Sequence, residues 1–340
     1  MAPSVKTTQL QAAKYSEAAK LRQIAVVNYK GKDGRSVASE VEAMLASVQV
    51  GEAPYFTLVE RNQLNRVMSE IKKTNADFFF DNSAAAEVGR LVGAKAIYTG
   101  QINANTVTDE SYTQKRKKCV QKVKTGKRIL GVDVTKCVKK KKVTISCLKR
   151  TAIFKFTPKI IEVETGRIVY ARKISTTKSD QGCPDEDNRM IAAGTQLMDQ
   201  ARESAILRMR QDIAPHLVTV SIALMEEEEG IESEAARKKL QRGMEFARAN
   251  RMDRACEIWS HGHKLSPDAP AFLFNMGACS ETSGDLTTAL SWYTKADRAM
   301  LHPDDKMNAA LHRVKEALNE RDTLRDQLKK KQQNHNASGF

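Results

Sequence analysis

Apolar positions along the 340-residue chain come in short bursts, some with period two and some with helical period. Residues 5–22 are polar with scattered alanines and predict a short polar helix. IAVVNY (24–29) reads as a buried strand, and GKDGRS follows as a turn with Ser36 placed as an N-cap. Val37, Val41, Met44, Leu45 and Val48 then recur at helical spacing. YFTLVE (55–60) predicts a second strand, and Leu64, Val67, Met68 and Ile71 a second helix. A third, short helix over 84–92 ends at Gly93, before a third strand, AIYTGQI (96–102). This alternation predicts an α/β (α+β) layer domain. Further on, IFKFTPKIIEV and RIVYARKI form a hairpin turning at Thr165 and Gly166. Residues 188–213 read as an amphipathic helix and 216–225 as a last strand.

EEEEGIESE (226–234) is an acidic linker and marks a domain boundary, giving a first domain over 1–225. Beyond it the pattern repeats: Gly243 and Gly277, Ala255 and Ala289, and Trp259 and Tyr293 are each 34 residues apart. That is the period of tetratricopeptide (TPR) helix pairs, in which small residues let two helices approach and an aromatic fills the gap to the next pair. An all-α TPR domain over 235–330 is expected, closed by a capping helix over 305–330 and followed by a flexible tail at 331–340. Such a solenoid is a docking surface for a protein partner.

Composition narrows the class. Apolar residues make up 41% and charged residues 29%, the profile of a folded globular chain. With mean hydropathy −0.49 and no apolar run near the roughly 20 residues of a membrane helix, helical spanning is excluded. The net charge of +15 is highly localised: residues 115–150 hold 15 Lys/Arg and one acid, Asp133, so the rest is nearly neutral. The cations are Lys115, Arg116, Lys117, Lys118, Lys122, Lys124, Lys127 and Arg128, then Lys136, then Lys139, Lys140, Lys141 and Lys142, with Lys149 and Arg150 closing the segment. A single-sign patch of this size faces an anion or bulk salt water. Anionic lipid headgroups, acidic glycan, an acidic protein face and nucleic acid are the candidates. No Phe, Tyr or Trp lies between residues 115 and 150, which weakens a base-stacking mode and leaves salt-sensitive phosphate attraction.

Of the six cysteines, Cys119, Cys137, Cys147 and Cys183 lie in or beside the basic segment. Without a C-x-x-C pair they offer poor zinc spacing; two disulfides suit an oxidising compartment, and reduced buried thiols are the alternative. Cys256 and Cys279 fall in predicted helices and read as small core residues. His261 and His263, at i and i+2, diverge on a helix, so no metal is expected. GKDGRS lacks phosphate-loop spacing. No catalytic constellation and no cofactor motif is present, and no enzymatic activity is expected.

The quoted segments IAVVNY, FTLVERNQLNRVMSE, AAAEVGRLVGAKAIYTGQI and KIIEVETGRIVYARKI resemble the CsgG/HfaB family of bacterial envelope proteins, which includes the curli secretion channel. The resemblance implies an α/β domain that assembles into homo-oligomeric rings without catalysis. In the curli channel two hairpins per subunit build a membrane barrel. The first corresponds here to the basic insert, 103–151; the second to TTKSDQGCPDEDN, too short for two crossings of roughly 9–11 residues each. In the insert Leu130, Val132 and Val134 share a face, as do Val143, Ile145 and Cys147, but lysines interrupt both runs. A lipid-facing lysine costs roughly 2–4 kcal/mol at mid-bilayer. An extended, water-exposed hairpin is therefore expected, turning near Lys139, Lys140, Lys141 and Lys142.

The sequence thus predicts a non-catalytic envelope assembly protein: a ring-forming domain, a TPR partner-docking domain and a cationic arm. An outer-membrane channel of the curli type and a cytoplasmic nucleic-acid-binding or scaffold protein remain the alternatives. The N-terminus carries neither an apolar signal segment nor the lipoprotein cysteine typical of the family. The chain is accordingly placed in the periplasm, at the outer membrane, if a signal peptide was removed, and in the cytoplasm otherwise.

Overall fold

A computed structural model of the chain describes residues 3–70, 81–129, 132–183 and 190–329. Ile71, Leu130, residues 184–188 and the tail 331–340 lie outside the described residues. In chain order the elements are β1 (Ser4–Gln11), α1 (Ser16–Lys20), β2 (Gln23–Val26), α2 (Gly34–Ala46), β3 (Gln49–Val50), β4 (Ala53–Pro54), β5 (Thr57–Leu58), α3 (Arg61–Glu70) and α4 (Asn82–Leu91). They continue with β6 (Ala96–Ile129), β7 (Val132–Glu162), β8 (Ile168–Ala171), β9 (Ile174–Gly182), α5 (Gly194–Ile213) and β10 (His216–Ala223). Five helices complete the described chain: α6 (Glu234–Arg248), α7 (Met252–Leu265), α8 (Pro270–Thr282), α9 (Leu286–Ala299) and α10 (Asp305–Leu328). Two compact units result, Leu21–Asp212 and a second made of Met1–Lys20 with Ile213–Phe340.

In the first unit the sheet runs β5-β2-β6-β7-β8, with β9 also paired to β7. β2 is parallel to β5 and β6, and the β6, β7, β8 and β9 pairings are antiparallel. Alternate residues of these strands are buried on both faces. Ala25, Val27, Ile97 and Ile161 meet Leu64 and Met68 of α3 and Ala84, Ala85 and Val88 of α4, while Ile24, Tyr98 and Ile160 are buried as well. A sheet covered on both faces needs near-continuous apolar runs, which is why IAVVNY reads as a strand without alternation.

α2 begins earlier than expected. Its N-cap is Asp33, at φ 61°, and Ser36 instead donates its hydroxyl to Glu40 Oε1 at 3.1 Å. The cause is the tight return after β2: a Cβ on Gly34 would sit 1.8 Å from the Tyr29 carbonyl oxygen, so only glycine fits. The Asp33 carboxylate, turned outward, accepts from Asn105 Nδ2 at 2.6 Å and Arg202 Nη2 at 2.8 Å.

In the second unit the N-terminal segment is not the expected polar helix. Residues 4–11 form β1, antiparallel to β10 from Ser4↔Ala223 to Gln11↔His216, and only Ser16–Lys20 is helical. Val5 and Ile222, paired across the ribbon, enter the same apolar cluster as the helices, and that long-range burial overrides local helix preference. Two buried amides tie irregular backbone to helices. Asn275 accepts from Met225 N at 2.9 Å and donates to Met225 O at 2.8 Å; Gln327 does the same for Ala13, at 2.8 and 2.9 Å.

The acidic linker is pinned to this unit. Glu226 pairs with Arg248 at 2.5 Å, Glu227 with Lys306 at 2.5 Å, and Glu228 accepts from Gln241 at 2.8 Å. α6 packs on α7 and α8 on α9. Gly243 lies against the Trp259 indole and Gly277 against the Tyr293 ring, where added Cβ atoms would fall 2.2 and 2.6 Å from the ring atoms. Gly243→Ala should therefore overpack the first pair and destabilise this unit by about 1–3 kcal/mol. Urea unfolding followed by tryptophan fluorescence checks this, because both tryptophans, Trp259 and Trp292, lie in this unit.

Candidate functional site

The long hairpin of β6 and β7 starts inside the sheet and leaves it. At the base Ala96 pairs with Glu162; β9 flanks β7 only as far as Leu148↔Gly182. Outward from Tyr112↔Cys147 the hairpin is two-stranded, and its register continues to Ile129↔Val132. At about 3.3 Å per residue this arm is on the order of 55 Å long.

Every basic residue that the sequence singled out as anion-binding lies in this arm. Lys117 is directly opposite Lys142, and Lys118 directly opposite Lys141. Successive residues of a strand point to opposite faces, so one opposed lysine pair lies on each face. Lys115 and Arg116 precede them; Lys140 is opposite Cys119, Lys122 opposite Cys137, and Lys139 opposite Gln121. Lys124 forms a 2.6 Å ion pair with Asp133, and Lys127 is exposed near the end. Arg128 is opposite Asp133 in the register. Like charges directly opposite each other work against a β pair. The register also corrects the expected turn: Lys139, Lys140, Lys141 and Lys142 are mid-strand. From Ala96↔Glu162 each step outward on β6 is one step back on β7, apart from register shifts between Ile102 and Ala104, Cys119 and Gln121, Gln121 and Lys122, and Lys124 and Arg128, and the strands come together at Ile129 and Val132 instead.

The base of the arm is neutralised. Arg150 donates to both Asp109 carboxylate oxygens, at 2.8 and 2.6 Å, and to the Ala192 carbonyl at 3.2 Å. These hydrogen bonds hold the Asp109 carboxyl below its usual range. Just beyond, Tyr112, Val143, Ile145, Cys147 and Cys183 form a small apolar cluster. Cys147 is bonded to Cys183, and further out Cys119 is bonded to Cys137, across β6 and β7.

A third disulfide, Cys256–Cys279, joins α7 to α8, where the sequence suggested only core packing. Nothing local marks it, since the two residues are 23 apart and meet only when the helices pack. No described cysteine is free.

The repeat positions Gly243, Ala255, Trp259, Gly277, Ala289 and Tyr293 come together inside the helical unit. Ala255, Trp259, Ala289 and Tyr293 are fully buried. A polar cluster that the sequence did not reveal accompanies them. Buried Glu281 accepts from Arg313 Nε at 2.6 Å, Arg313 Nη2 at 2.8 Å and the Tyr293 hydroxyl at 2.8 Å. His263 stands edge-on to Trp292, with ring centroids 5.2 Å apart, and burial lowers its pKa. A cavity of about 460 Å³ in the same unit is lined by β1, β10, the α8–α9 turn and α10, and by none of the predicted repeat residues. Among the described residues no group of three or more His, Cys, Asp or Glu could hold a metal ion, and no helix is long and apolar enough to cross a membrane.

Fold and site define an α/β layer protein with a projecting cationic hairpin and a helical companion unit. Residues 6–244 match the family described as curli production assembly/transport component CsgG, and the chain belongs to that family. Membership points to the cell envelope. No curated protein matches the chain by sequence. Among solved structures, the LpoB C-terminal domain from Salmonella enterica is 14% identical, covering 48% of this chain and 94% of its own, at a TM-score of 0.26. Lipoprotein GNA1162 from Neisseria meningitidis is 10% identical, covering 55% and 97%, at 0.31. The hypothetical protein CT253 from Chlamydia trachomatis is 8% identical, covering 57% and 98%, at 0.29.

Proposed function

We propose that this is a non-catalytic assembly protein of the bacterial cell envelope that self-associates, docks a protein partner and holds a cationic arm against an anionic surface. The arm carries this reading. Opposed lysine pairs on both of its faces have no purpose in a packed core, and an anionic counterpart relieves their repulsion. Lysines on both faces also argue against a barrel wall, which needs one apolar face toward lipid. Six cysteines in three disulfides favour the periplasmic side, where such bonds persist.

The helical unit is the partner-docking element. Its two helix pairs, with Gly243 on Trp259 and Gly277 on Tyr293 at the 34-residue interval, support reading them as tetratricopeptide repeats capped by α10. Family membership supports self-association, which we read as a ring. Light scattering and negative-stain microscopy of the oxidised protein are expected to give a closed oligomer; a strictly monomeric species at high concentration overturns the ring.

A further inference from the structure

We propose that Cys119–Cys137 is a thiol–disulfide exchange site for anionic thiols and that its opening releases the outer half of the arm. Three observations combine. Each cysteine is directly opposite a lysine, Cys119 opposite Lys140 and Cys137 opposite Lys122. The only acid in this stretch of sequence, Asp133, is in an ion pair with Lys124. The bond is also accessible: both cysteines are partly exposed, and the neighbouring valines Val120 and Val138 are 53% and 54% exposed.

Adjacent ammonium groups stabilise a thiolate and so make a cysteine a better leaving group. An incoming thiolate attacks one sulfur of the pair. The new S–S bond forms to that sulfur, the Cys119–Cys137 bond breaks, and its electron pair departs on the other cysteine as thiolate beside its lysine. A second thiolate attacks the mixed disulfide, releasing the reagent as its own disulfide and leaving the protein as the dithiol. The same lysines attract a thiol that carries negative charge.

The other two pairs are built differently. Cys147 and Cys183 are 2% and 1% exposed within the Tyr112, Val143 and Ile145 cluster. Arg116 Nη2 lies 3.5 Å from Cys183 Sγ, so inaccessibility rather than want of a cation protects that bond. Cys256–Cys279 is set between packed helices of the second unit, outside the lysine-rich arm, with Cys279 9% exposed and Cys256 partly exposed. The consequence of opening is also specific to the arm. Cys119–Cys137 lies next to the opposed pairs Lys117↔Lys142 and Lys118↔Lys141, and without it their repulsion acts on unstapled strands.

The test exposes the oxidised full-length protein to glutathione, and in parallel to uncharged 2-mercaptoethanol, with acid quenching, alkylation and mass spectrometry of each cysteine. Cys119 and Cys137 are expected to become alkylated about tenfold faster than the other four. The advantage of glutathione over the uncharged thiol should shrink with added salt. A Lys122→Gln, Lys140→Gln double variant, which changes two exposed side chains and leaves the pairs Lys117↔Lys142 and Lys118↔Lys141 in place, should slow opening several-fold. Simultaneous opening of all three bonds, or an unchanged rate in the double variant, overturns the exchange site. Equal rates with both thiols at low salt overturn the selectivity for anionic thiols.

Discussion

Replacing Lys139, Lys140, Lys141 and Lys142 by glutamine is expected to weaken binding to anionic lipid vesicles by about thirtyfold. A cation held at an anionic surface contributes about 1 kcal/mol, and the two on the face toward the vesicle therefore contribute about 2 kcal/mol, or about thirtyfold in affinity. The four lysines are exposed and consecutive on β7, two toward each face, so an anion on either side of the arm feels them. The variant should keep its fold, because the substitutions remove two opposed lysine pairs, Lys117↔Lys142 and Lys118↔Lys141, and no apolar contact. Co-sedimentation with vesicles of increasing anionic-lipid content, at two salt concentrations, measures the effect. Vesicle binding by the parent protein that is indifferent to salt, or unaltered by the substitutions, removes the arm as the contact. A parallel titration with nucleic acid separates the alternatives: tight, salt-steep binding there with none to vesicles favours the nucleic-acid reading.

Arg313→Ala is expected to destabilise the helical unit by about 3 kcal/mol. Glu281 is 1% exposed, and its carboxylate depends on the two-pronged contact with Arg313 and on the Tyr293 hydroxyl. Removing the guanidinium leaves a buried charge with one neutral donor, a defect that costs about 3–5 kcal/mol. The lower end applies because the Arg313 side chain keeps 24% of its surface in water, which can partly replace it. The same reasoning predicts that the double variant Glu281→Leu, Arg313→Met is less damaged than Arg313→Ala, since it buries no orphan charge. Urea unfolding followed by Trp259 and Trp292 fluorescence gives both values. A single variant as stable as the parent would mean that the cluster contributes nothing.

These two expectations rest on different kinds of information. The cationic segment was legible in the sequence because charge density is a local property of neighbouring residues. Its geometry was not: the densest lysines suggest a turn, whereas the strands close where the register begun inside the sheet, with its shifts along the arm, brings Ile129 opposite Val132. The Glu281, Tyr293 and Arg313 cluster had no local signature, since its members come from three helices.

By itself the sequence determined the strand and helix runs whose apolar spacing is read within a dozen residues, the 34-residue interval that sets glycine against aromatic, the confinement of the charge to one segment, and the segments resembling the CsgG family. Only the tertiary structure decided that Ser4–Gln11 is a strand, that it pairs with His216–Ala223, and that Cys256 reaches Cys279. The physical reason is distance along the chain. Periodicity records which face of an element is buried, but the partner that buries it is chosen by packing between residues far apart in sequence, and no local pattern encodes that choice.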